Sequence, residues 1–170
     1  MEAGTGSISV TVLNETTDDI DVVKWADLVE RVLASEGVAA PAETNVVFVD
    51  VASMTELNSL HMGVDGPTDV LSFPIDDEPA VGEPGSGPAG VEDVRFVGDI
   101  VVCSAVAAEN APRHAGEVDD EIALLLVHGS LHLLGHDHAD PAERDVMWAA
   151  ERRLLAQFWR PFTRDPWEPS

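Results

Sequence analysis

The stretch from Asp119 to His138 constrains this chain most. It opens on three acids, Asp119, Asp120 and Glu121, and then runs apolar from Ile122 to Leu134, interrupted only by His128, Gly129, Ser130 and His132. Gly135 ends it, followed by His136, Asp137 and His138. Acids in a first turn complement the positive end of a helix dipole. Glycine just past a helix takes a left-handed backbone without strain. The stretch therefore reads as one helix, apolar almost all round and so buried. It is too short to cross a bilayer, which takes about 20 apolar residues.

His128 and His132 are four residues apart, so on a helix they stand on the same face. If the chain folds back at Gly135, His138 is carried towards the pair. Three imidazoles converging from a helix and the turn after it leave a fourth coordination position open. That is the arrangement of catalytic zinc, whereas structural zinc is usually closed by four ligands, mostly cysteines. A single histidine here would read as a core residue bonded to backbone. Four of the chain's six histidines lie between His128 and His138, and that concentration favours a metal. The expected centre is one zinc ion on His128, His132 and His138, with His136 left out because it adjoins the glycine turn.

The remaining composition bounds the class. A chain of 170 residues, 45% hydrophobic and 24% charged, suits one globular domain with a substantial core. Its 32 acids against 9 bases give a formal charge of −23, and Lys24 is the only lysine. Such a field repels nucleic acid at long range, and neither DNA nor a membrane is an expected partner. One cysteine, Cys103, leaves no internal disulfide and suits a reducing cytoplasm. The N-terminus has no basic region followed by an apolar core, so no signal peptide is expected.

Hydrophobic periodicity then places the elements. Ser7 to Leu13 alternates as a half-buried strand. Val22, Trp25, Val29, Val32 and Leu33 recur at helical spacing up to Gly37. Asn45 to Val51 is a second strand, and Ser53 with Glu56 forms a capping-box pattern opening a helix to about Leu60. Thr68 to Phe73 reads as a third strand stopped by Pro74. Residues 76–93 lack any basic side chain and are rich in Gly, Pro and acids, which predicts a solvated, flexible loop. Phe96 to Cys103 is a fourth strand, followed by a short helix capped by Ser104 and ended by Pro112. Asp140-Pro141 starts a last helix, with Met147, Ala150, Leu154 and Phe158 on its apolar face and Pro161 at its end. The expected fold is α+β: one domain over residues 1–160, with a four-stranded mixed sheet covered by helices and the metal helix buried. Residues 161–170 are expected to form a loose C-terminal tail.

His128-Gly-Ser-Leu-His132-Leu-Leu-Gly135-His-Asp-His138 closely resembles the signature of the YbeY family of endoribonucleases. Leu57-Asn58, Thr68-Asp69-Val70-Leu71-Ser72-Phe73-Pro74 and Gly98-Asp99-Ile100 agree with that family in the same order. The resemblance implies a single-strand-specific, zinc-dependent endoribonuclease acting in rRNA maturation and ribosome quality control. It also implies His128, His132 and His138 as ligands, and RNA with the ribosome or a ribosomal protein as partners. Two positions depart from the pattern: His136 stands where the family often has Tyr, and His61-Met62 where it commonly has Tyr-Arg. An arginine near a metal could clamp a phosphate bidentately, and Met62 cannot. Arg95 and Arg113 are the candidate substitutes, although both also read as ordinary surface charge.

Two other readings use the same residues. His-x₃-His-x₂-Gly-x₂-His is also the ligand spacing of metzincin proteases, but there a Glu follows the first histidine as general base. Gly129 has no side chain for that role. In the other reading the metal only stabilises a non-catalytic domain that binds ribosomal partners. Asp137 and Asp140 are near enough in sequence to orient the imidazoles, and no general base can be assigned. Arg144, Arg152, Arg153, Arg160 and Arg164 crowd the last helix and tail, where pairing with Glu143, Glu151 and neighbouring acids is the expectation.

Overall fold

A computed structural model describes residues 7–75 and 94–167. The acidic stretch 76–93, expected to be a flexible loop, lies outside them. In chain order the elements are β1 (Ile8–Asn14), α1 (Val22–Ser35), β2 (Ala42–Val49), α2 (Val51–Met62), β3 (Val70–Pro74) and β4 (Arg95–Cys103). There follow α3 (Ser104–Asn110), a 3-10 turn (Ala111–Arg113), α4 (Val118–Leu133) and α5 (Pro141–Phe158). The strands form one sheet in the order β1-β2-β4-β3. β1, β2 and β4 run parallel, while β3 is antiparallel to β4. The expected α+β domain with a four-stranded mixed sheet is what forms.

Both faces of the central strands are covered, which explains their nearly continuous apolar sequences. Side chains alternate across a strand. Val46, Phe48, Ile100 and Val102 therefore join the main core with Trp25, Val29 and Val32 of α1 and Leu126, Val127 and Leu131 of α4. Their neighbours Val47, Val49, Val101 and Cys103 form a smaller core on the opposite face, with Met54 and Leu57 of α2. Cys103 is fully buried there. α4 thus lies on the sheet with a helical layer above it, which is why it is apolar nearly all round.

Several local readings are corrected. α2 begins two residues before Ser53, because Asp50 is its N-cap and accepts the Ser53 N–H at 2.8 Å. Ser104 is the first residue of α3 rather than its cap, and its hydroxyl donates to Asp18 at 2.9 Å. Pro112 lies inside the 3-10 turn. In the first turn of α4, Asp120 and Glu121 stand at the positive end of the helix and are also buried. Asp120 accepts from the Trp159 indole at 2.8 Å and from Arg160 at 2.7 Å.

The tail is not loose over 161–167. Phe162 stacks on Trp167 with ring centroids 5.6 Å apart. The Arg164 N–H donates to the Ala115 carbonyl, and the Trp167 indole N–H donates to Glu151 at 2.9 Å. Ala115 and Glu151 lie outside the tail, so its composition could not reveal these two contacts.

Candidate metal centre

α4 packs tightly against the sheet at Gly129. A Cβ there would stand 2.9 Å from Ile100 Cγ2 and 3.2 Å from Ser72 Oγ. The residue after His128 therefore faces β3 and β4 so closely that a larger side chain would have to displace Ile100. At its far end α4 closes on Gly135, whose φ of +99° suits glycine. The His136 N–H donates back to the Leu131 carbonyl at 3.0 Å. This reversal returns His138 beside the helix.

The three histidines consequently meet. Ring centroids are 4.6 Å apart for His128 and His132, 5.4 Å for His128 and His138, and 5.1 Å for His132 and His138. One ligating atom from each lies within 4.8 Å of the other two. His128 and His132 are half-buried and His138 is exposed, so the group opens to solvent on one side.

Their orientation comes from groups that sequence reasoning missed. His128 Nδ1 is 2.6 Å from Glu151 Oε2, and His132 Nδ1 is 2.9 Å from the His136 carbonyl. A carbonyl only accepts, so His132 carries its proton on Nδ1 and keeps the Nε2 lone pair. Burial, then the neighbouring His128 and His138, hold His132 below the usual histidine range, which favours the neutral, ligating form. Three imidazoles with two of them pinned at Nδ1 are a donor set that fits a borderline-soft divalent ion such as zinc. Asp137 and Asp140, the sequence candidates for this orienting role, do other work: Asp137 accepts from the His138 N–H, and Asp140 caps α5.

Beside His128 runs a cleft of about 200 Å³ whose lining includes Asp69, His114, Trp148, Glu151 and Trp167. His114 Nδ1 is 2.7 Å from the buried Glu121 Oε2, and Glu121 Oε1 accepts the Ala115 N–H at 3.0 Å. The hydrogen bond that His114 donates to Glu121 is the chief reason that His114 is raised above the usual histidine value. Neither Arg95, which opens β4, nor Arg113, which closes the 3-10 turn, lines this cleft. Met62 is exposed at the end of α2.

Of the arginines in the last helix and tail, Arg144 pairs with Asp145, Arg152 with Asp165, Arg153 with Glu36 and Arg160 with Asp120. Pairing with acids holds for these four, though not with Glu143 or Glu151, and no ion pair forms at Arg164 among the described residues. Glu151 is taken instead by His128 and Trp167.

A family model described as Endoribonuclease YbeY matches residues 11–159. The chain belongs to the YbeY family. The protein Endoribonuclease YbeY of Salinispora tropica is 43% identical to it over 90% of this chain and 97% of that protein. The Micrococcus luteus protein of the same name is 42% identical, over 88% of this chain and 92% of its own length. Among solved structures, TM1509 from Thermotoga maritima matches 88% of this chain and 89% of its own with a TM-score of 0.59, at 25% identity. For this YbeY-family chain the close packing at Gly129 also weighs against the metzincin reading: a glutamate side chain there would meet the sheet, not an ion.

Proposed function

We propose that the chain is a metal-dependent endoribonuclease of ribosomal RNA maturation and quality control. In this reading it carries one zinc ion on His128, His132 and His138 and cuts single-stranded RNA. The observation that supports it most is the meeting of three imidazoles, two oriented through Nδ1, in a member of an endoribonuclease family. Bound zinc would supply Lewis acidity, lowering the pKa of a coordinated water and polarising a phosphoryl oxygen. The protein's part is to hold the imidazoles neutral and aimed through Glu151 and the His136 carbonyl, and to offer an open side for the strand. Residues 1–160 form the hydrolase domain, and the segment after it braces Glu151 through Trp167.

The substrate must be delivered to an acidic surface. Phosphate contacts need free cations, yet six of the nine bases are engaged in ion pairs: Lys24, Arg31, Arg144, Arg152, Arg153 and Arg160. We therefore assign positioning of the RNA to the ribosome or a ribosomal protein, in the cytoplasm, where the lone buried Cys103 is kept reduced. No helix among the described residues is long and apolar enough to cross a membrane.

The test incubates metal-loaded protein and a His132→Ala variant with ribosomal RNA, with and without ribosomal subunits. Wild type should cut weakly alone and faster with subunits, and the variant should not cut. Equal cutting by both proteins would defeat the proposal.

A further inference from the structure

The triad leaves one step of phosphodiester cleavage unassigned: something must give a proton to the departing oxygen. We propose that His114, held by Glu121, is the general acid that protonates the leaving 5′-oxygen when the RNA strand is cut. This inference rests on the endoribonuclease reading above.

The geometry is that of a carboxylate-backed imidazole. Glu121 is fully buried, with one oxygen on the Ala115 N–H and the other on His114 Nδ1, so the ring is pinned along one edge. Nε2 lies on the opposite edge, and the side chain is 42% exposed. His114 and His128 line the same small cleft, so a strand lying in that cleft meets both.

The charges around the ring agree with a proton donor. Glu121 faces it from α4, Asp69 from the segment before β3 and Glu151 from α5, while the described part of the C-terminal segment contributes Pro166 and Trp167 to the cleft. These three acids favour imidazolium, and Glu121, hydrogen-bonded to the ring, holds it against the positive charge of an ion on His128. A raised pKa keeps an acid protonated near neutral pH, where general acids work best.

Few other groups could serve. The chain has no tyrosine, and its one lysine is paired with Asp119. Glu151 is committed to His128 and Trp167.

In the step proposed, the oxygen of water or of the ribose 2′-hydroxyl bonds to phosphorus and loses its proton to solvent. The P–O5′ bond breaks and its electron pair stays on the 5′-oxygen. His114 Nε2 delivers its proton there, and the neutral imidazole is reprotonated from water.

The test compares wild type, His114→Gln and Glu121→Gln on two oligonucleotides. One is ordinary RNA, and the other carries a bridging sulfur in place of the scissile 5′-oxygen, a leaving group that needs no proton. His114→Gln should cut ordinary RNA slower by about 10²-fold or more, yet cut the sulfur-bridged strand as fast as wild type. Wild-type activity should fall as pH rises through the His114 pKa. That fall should move to lower pH in Glu121→Gln, which loses the largest cause of the elevation but retains the imidazole. Equal slowing of both substrates would show a structural role and overturn the proposal, as would unchanged cutting of RNA by His114→Gln. Wild type that cuts no RNA would overturn the underlying reading as well, whereas cutting that is indifferent to His114 overturns this inference alone.

Discussion

Replacing Glu151 by Gln changes only one oxygen to an amide nitrogen, and the structure dictates the consequence. Glu151 is 2% exposed, and both of its oxygens face groups that donate: His128 Nδ1 at 2.6 Å and the Trp167 indole N–H at 2.9 Å. An amide offers one acceptor and one donor. If its oxygen stays on Trp167, its NH₂ confronts His128 Nδ1 and drives the proton to Nε2, the edge a metal needs. If it flips, the half-buried indole N–H is left facing another donor. One unsatisfied buried donor costs about 1–3 kcal/mol. Loss of a carboxylate that orients a ligating histidine costs about 10–100-fold in metal affinity, or about 1.4–2.7 kcal/mol. The assay is competitive zinc titration of the metal-free variant, with its folding checked by circular dichroism. Adding Trp167→Phe should restore part of the affinity, because the amide can then turn its oxygen to His128 without opposing the indole. A Glu151→Gln protein that binds zinc like wild type would refute the orienting role, and so would a double variant no better than the single.

Three further outcomes follow from other parts of the molecule. Gly129→Ala gains about 0.5–1 kcal/mol of helix propensity, but its Cβ, 2.9 Å from Ile100, costs about 1–3 kcal/mol of overpacking; the net should be a lower denaturant midpoint, and a higher one would show that the contact yields easily. Because His114 is raised in the folded protein, its stabilisation is present below the ordinary histidine pKa and lost as pH rises through the folded value. In metal-free protein the stability lead of wild type over His114→Gln should therefore shrink with rising pH, and a constant lead would contradict the shift. Met62→Arg, placed at the exposed end of α2, should speed RNA cleavage at low salt with a gain that fades as salt rises, since it adds one phosphate contact; a salt-independent gain would point to another cause.

What could be read from sequence was local. The i, i+4 histidines and the glycine turn lie within one short stretch, so the triad was visible before any fold was known. Strand and helix positions followed from periods of two and about three and a half. Groups supplied from far along the chain were not visible. Glu151 sits 23 residues beyond His128, and only the return of α5 alongside α4 joins them. No residue type marks the His136 carbonyl, because backbone acts there. Asp120 and Glu121 read as acids complementing a helix dipole, and nothing in the stretch itself showed that they are buried against Trp159, Arg160 and His114. The same holds for Trp167, whose indole needs Glu151 to give it a place.

The most direct test of the central claim is elemental analysis of three purified proteins. Wild type should carry about one zinc per chain, as a site of three histidines plus solvent requires. His136→Ala should retain it, because His132 is oriented by the His136 backbone carbonyl, which the substitution leaves in place. His132→Ala should lose most of it. Full zinc in the His132→Ala protein, or loss of zinc from His136→Ala alone, would contradict the centre described above.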